Sequence, residues 1–169
     1  MHIDTTSCNR EDSCEDMTTD CYAVIKAGSC NDGIGNCYGA GLEGNATIWE
    51  KSCSGGDFSC AFSGYNGIAK IGDGSCNANE PCIFAGYDGK VIIGDNSCNW
   101  VEACGDIGMT SEITIGKNAC NAPNVCLMNR GSIADGCCNY ENACQYNWDD
   151  IKVGSEKWGA IAVTTTKST

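Results

Sequence analysis

Sixteen cysteines carry most of the chemistry open to this chain. Fourteen form seven close pairs: Cys8/Cys14, Cys30/Cys37, Cys53/Cys60, Cys76/Cys82, Cys98/Cys104, Cys120/Cys126 and Cys138/Cys144. Cys21 and Cys137 are left over. Such a set can ligate metal, attack a substrate or cross-link the chain. Structural zinc prefers C-x2–4-C spacing with four converging ligands, which a repeated C-x5-C does not match. A nucleophilic thiol or hydroxyl needs a base to activate it, and the only histidine, His2, lies outside the repeats. No metal, no cofactor and no catalytic residue are therefore expected. Cross-linking remains, and it belongs to an oxidising compartment.

The spacing says what is being cross-linked. Within a pair the step is 6 residues, or 7 in the second and third pairs. From one pair to the next it is 16, five times running, then 12 from Cys126 to Cys138. Length changes across those six pairs thus fall between paired cysteines, while the segment outside keeps its register. A period of 22 or 23 residues marks a solenoid. Three pairings are open: within a rung, down a column, or from one rung's second cysteine to the next rung's first. Column pairing leaves an odd cysteine, and the variable loop favours pairing within a rung. Each such bond is worth about 2 kcal/mol on the loop-entropy estimate.

The elements that position these cysteines show as columns. Eleven residues after each second cysteine lie Ile25, Ile48, Ile71, Ile93 and Ile115, with Ile133 equivalent in the shortened repeat. Two residues before them lie Ala23, Ala46, Ala69, Val91 and Ile113. That alternation predicts a β-strand with one face inward. Asn9, Asn31, Ser54, Asn77, Asn99, Asn121 and Asn139 follow the first cysteines, spaced to hydrogen-bond in a ladder. Gly41, Gly64, Gly86 and Gly108 form one glycine column, and Gly44, Gly67 and Gly89 another. Both read as corners needing positive φ or close approach. The scarcity of proline suits a chain that is mostly hydrogen-bonded strand. The expected fold is all-β, a disulfide-laced parallel β-solenoid of about seven rungs, about 34 Å long. The whole chain, 1–169, reads as one domain, with repeats over 7–144 and a strand-forming cap or assembly segment over 145–169.

The phrases "IGDGSCNANEPC", "IGDNSCNWVEAC" and "IGKNACNAPNVC" resemble the IG-x-x-SCN-x4-C repeats of predicted secreted, cysteine-rich proteins from algae and related protists. The resemblance spans roughly residues 7–144. It implies a disulfide-laced β-solenoid and says little about function.

A formal net charge of −12 makes nucleic acid and anionic membrane improbable partners. No apolar run is long enough to span a membrane, and the start is not a signal peptide. The cysteines nonetheless imply a secreted protein whose leader is absent from this sequence. Asn45-Ala46-Thr47 is an N-glycosylation sequon with Asn45 outward, and Thr164, Thr165 and Thr166 offer O-linked positions. The outward strand column Val24, Thr47, Lys70, Ile92 and Thr114 is not the threonine array of an ice binder.

The ends decide the functional expectation. Only six residues precede Ser7-Cys8, too few for a helical cap, whereas Ile151, Val153, Ile161 and Val163 continue the strand pattern after the last pair. Cys21 and Cys137 lie near opposite ends, too far apart to join within one rod, and can bond across a junction. The chain is expected to be a non-enzymatic extracellular structural protein. It stacks head to tail with itself into a fibre carrying covalent glycan. The alternative is a monomeric secreted binding module recognising glycan or ice.

Overall fold

The computed structural model describes residues 1–4, 6–16, 22–146, 148 and 150. All regular structure among them is β. Six short strands, β1 (His2–Ile3), β2 (Tyr22–Ile25), β3 (Asn45–Ile48), β4 (Ile68–Ile71), β5 (Lys90–Ile93) and β6 (Glu112–Ile115), form one sheet in sequence order. Every pairing is parallel. Parallel neighbours need a long crossover, and each crossover here is the remainder of a rung. The molecule is a parallel β-solenoid, and a bridge from Ile115 to Ile133 carries the ladder past β6.

Register follows the two apolar columns. Ala23, Ala46, Ala69, Val91 and Ile113 pair in series, as do Ile25, Ile48, Ile71, Ile93 and Ile115. All ten are at most 2% exposed. A slip of one residue would turn both columns to solvent. β1 extends the sheet by setting Ile3 beside Ile25, so the residues before the first cysteine pair supply a strand of their own.

The expectation of a mostly stranded chain needs correction, because the strands are only two to four residues long. Most of each rung is a run of hydrogen-bonded turns. In the third rung the N–H groups of Ala61, Ser63, Tyr65 and Gly67 donate to the carbonyls of Phe58, Cys60, Phe62 and Gly64. The third residue of each turn, Cys60, Phe62, Gly64 and Asn66, has positive φ, whereas the second does not. These are successive type II turns. Alternate N–H groups thus bond locally, and the others are free to bond between rungs. A strand pattern sought from side-chain alternation overlooks this arrangement, since it too has period 2.

The glycine columns divide the two roles expected of them. Gly41, Gly64, Gly86 and Gly108 have φ of +66° to +74°. Gly44, Gly67 and Gly89 instead permit close approach. A Cβ on Gly67 would collide with the carbonyl of Gly86 and lie 2.8 Å from the Gly89 nitrogen.

Candidate functional site: the disulfide column and its ladders

The seven cysteine pairs of the sequence are joined in the structure, each within its own rung. Their Cα separations run from 5.7 to 6.2 Å, within the range a disulfide spans. Every bonded cysteine except Cys82 has positive φ. That conformation costs an L-residue roughly 1–2 kcal/mol, so the cross-link holds a backbone turn that cysteine would not choose alone. The bonds also stack. The sulfurs of Cys60, Cys76 and Cys82 lie within 4.8 Å of one another, as do those of Cys8, Cys14 and Cys30, and of Cys98, Cys104 and Cys120. Engaged as disulfides, they present no thiolate to a metal.

Two polar ladders flank this column. The asparagine ladder differs from the expected stack of amides. The N–H groups of Asn31, Ser54, Asn77, Asn99 and Asn121 donate to the side-chain oxygens of Ser54, Asn77, Asn99, Asn121 and Asn139 in the following rung, at 2.8–3.1 Å. The Asn77, Asn99 and Asn121 amides donate backward to the carbonyls of Lys51, Gly74 and Asn96. Within this ladder, amide meets amide only between Asn9 and Asn31 among the described residues. Main-chain donors win because each turn leaves an N–H pointing along the axis.

The second ladder is built from serines. Ser29, Ser52, Ser75 and Ser97 precede the first cysteines and are fully buried. The Ser52 hydroxyl donates to the Gly72 carbonyl at 2.6 Å and accepts from the Ser75 N–H at 3.3 Å. Ser75 and Ser97 repeat this toward Gly94 and Gly116. The signal was present as the recurring Ser-Cys dipeptide. Cys137 falls in this column, before Cys138. It is half-buried, has no disulfide partner among the described residues, and its thiol faces the Asp135 carbonyl at 3.6 Å.

The rungs are also linked by a backbone ladder with polarity. Second-cysteine N–H groups reach forward: Cys14 to Asn36, Cys37 to Ser59, Cys104 to Val125 and Cys126 to Ala143. Residues two positions later reach back: Phe62 to Tyr38, Asp106 to Ile83 and Tyr146 to Leu127. At the first rung the Asp12 and Asp16 N–H groups and the Ser7 and Ser13 carbonyls have no partner among the described residues. At the last, the same is true of the Cys138 and Cys144 N–H groups and the Glu141 and Gln145 carbonyls.

Asn45 is exposed and opens β3. Cys21 and Thr164, Thr165 and Thr166 lie outside the described residues, as do Ile151, Val153, Ile161 and Val163. Among the described residues, no helix is long and apolar enough to cross a membrane.

A family model described as a domain of unknown function, DUF7640, matches residues 35–159. Comparison with curated proteins and with solved structures gave no match.

Proposed function

The chain belongs to the DUF7640 family, and we propose that it is an extracellular structural protein, a solenoid subunit of seven rungs that stacks end to end into a glycosylated fibre. One observation carries this reading. Among the described residues, the groups without a partner at the first rung are the complement of those without one at the last. Forward-reaching cysteine N–H groups at one end match Ser7 and Ser13 carbonyls at the other; back-reaching N–H groups of Asp12 and Asp16 match the Glu141 and Gln145 carbonyls. Head-to-tail contact continues the ladder in its own polarity. Such an interface is heterologous and grows into a filament unless it closes into a ring.

The remaining parts fit a secreted fibre subunit that does no catalysis. Seven disulfides suit an oxidising exterior. The exposed Asn45 sequon is open to glycan on the side of the rod rather than its ends. The half-buried Cys137 stands in the last cysteine-bearing rung, where a bond to a neighbour's Cys21 would lock the junction. The test is native mass and electron microscopy of the oxidised protein, beside a variant with a folded domain fused before Met1. Filaments that the fusion reduces to single rods are expected. A protein that stays monomeric at high concentration overturns the fibre and favours the binding module.

A further inference from the structure

The run of turns sets a row of aromatic rings along one face of the solenoid. Tyr38, Phe62 and Phe84 succeed one another along it, with Phe62 and Phe84 stacked at 5.2 Å between centroids. Tyr65 and Tyr87 stack beside them at 5.0 Å. These five rings are half-buried. Farther along the same face lies a groove of about 190 Å³, lined by Ile83, Leu127, Met128 and Tyr146. Gly105 makes it possible: a Cβ there would stand 3.1 Å from Leu127 Cδ2 and 3.7 Å from Ile83 Cγ2. Among the described residues, Met128 and Tyr146 stay 48% and 55% exposed, which is costly for apolar surface.

Carboxylates surround the apolar floor. Glu80, Glu102 and Asp106 complete the groove's lining. None of the ion pairs among the described residues engages them. Asp106 is half-buried, and burial alone pushes its carboxyl above the usual range. The far edge of the aromatic stack bears exposed Glu43 and Asp88. A second copy of this chain would bring acid against acid, since the net charge is −12.

The geometry points to a docking surface for a cationic polypeptide segment that carries apolar side chains beside its lysines or arginines. An apolar side chain fills the groove over Gly105, and an adjacent cation meets Asp106, Glu80 and Glu102. The aromatic stack extends the contact along the axis. Only Tyr146 of this surface belongs to the terminal rung; Glu80, Ile83, Glu102, Gly105, Asp106 and Leu127 lie on rungs short of the end, so the groove is separable from end-to-end assembly.

Calorimetric titration of the oxidised full chain at about 150 mM salt tests it. The probes are three peptides of about twelve residues, alternating Lys-Leu, Lys-Gln and Ser-Leu. The Lys-Leu peptide should bind at least about tenfold more tightly than either other. Gly105→Leu, which fills the groove, and Asp106→Asn should each weaken it by about tenfold. Glu50→Gln, on the strand side, should not. Equal binding of Lys-Leu and Lys-Gln, or equal loss with Glu50→Gln, reduces the effect to bulk charge and overturns the proposal. So does self-association through this face, seen as a dimer that Gly105→Leu abolishes.

Discussion

Asp106 and Cys137 are single residues whose surroundings set their behaviour. Burial raises the Asp106 carboxyl, so the folded state disfavours its charged form. A group with a raised folded pKa contributes stability that is full below its unfolded value, about 4, and lost as pH rises through the folded one. Asp106→Asn removes that loss. Thermal unfolding should show the variant more stable than the parent at pH 7, with the difference vanishing toward pH 3. A lower melting temperature at pH 7 would mean that the carboxylate is paired. The same variant should bind the Lys-Leu peptide less well, so stability and binding move in opposite directions. Cys137 occupies a column otherwise held by Ser7, Ser29, Ser52, Ser75, Ser97 and Ala119. Cys137→Ser restores the column's commonest residue. It should leave the unfolding free energy within about 0.5 kcal/mol of the parent and, with fibres present, make them dissociate more readily on dilution. Unchanged dissociation would remove Cys137 from the junction.

At the scale of the rung, close approach outweighs conformational preference. Gly67→Ala puts a Cβ against the backbone of Gly86 and Gly89, neither of which can yield without parting two rungs. The cost should be on the order of 3 kcal/mol or more. Gly136→Ala meets nothing within 4 Å and pays only for its φ of +70°, about 1 kcal/mol. Denaturant unfolding of the two variants ranks them, and equal costs would refute the steric account. Strand faces admit a similar contrast. Ile93→Asp buries an unpaired charge among apolar neighbours and should cost several kcal/mol; exposed Lys70→Asp should be nearly silent. What was legible at this scale follows from repetition. The isoleucine columns, the two glycine columns and the paired cysteines all recur at fixed offsets, so register could be read without a structure. The serine ladder recurs equally but does not read as core, because a buried hydroxyl has no apolar signature. The turn run was legible only as alternation, since no residue preference distinguishes extended backbone from successive type II turns when Cys, Phe, Glu and Asp all take positive φ. The apolar groove was not legible either: it depends on Ile83 and Leu127 meeting across Gly105.

For the molecule as a whole, charge opposes the proposed end-to-end assembly. The first rung gathers Glu11, Asp12, Glu15 and Asp16, and the last carries Glu141 with no compensating run of cations. Glu15 already registers this crowding: its hydrogen bond with Asp12, then the Asp12 charge, lift its carboxyl above the usual range. Its stabilising contribution is therefore complete below about pH 4 and lost as pH rises through the raised value. Bringing a neighbour's acidic rung against this one strengthens the same repulsion. Protonation relieves it, and so does salt, whose screening length is about 8 Å at physiological strength. Asp95 works in the other direction: its hydrogen bond from Lys117 holds the carboxyl below the usual range. That pair lies on the strand side of the rod and is lost only in stronger acid. Between the two lies a mildly acidic window in which Glu15 is partly neutralised while the Asp95–Lys117 pair persists. Light scattering of the oxidised protein should therefore show faster elongation at pH 4.5 than at pH 7.5. Adding salt at pH 7.5 should recover part of the difference, and Glu15→Gln should make elongation at pH 7.5 faster and less dependent on pH. Elongation that slows on acidification, with the solenoid still folded by circular dichroism, would show that the acidic first rung is not the face on which the fibre grows.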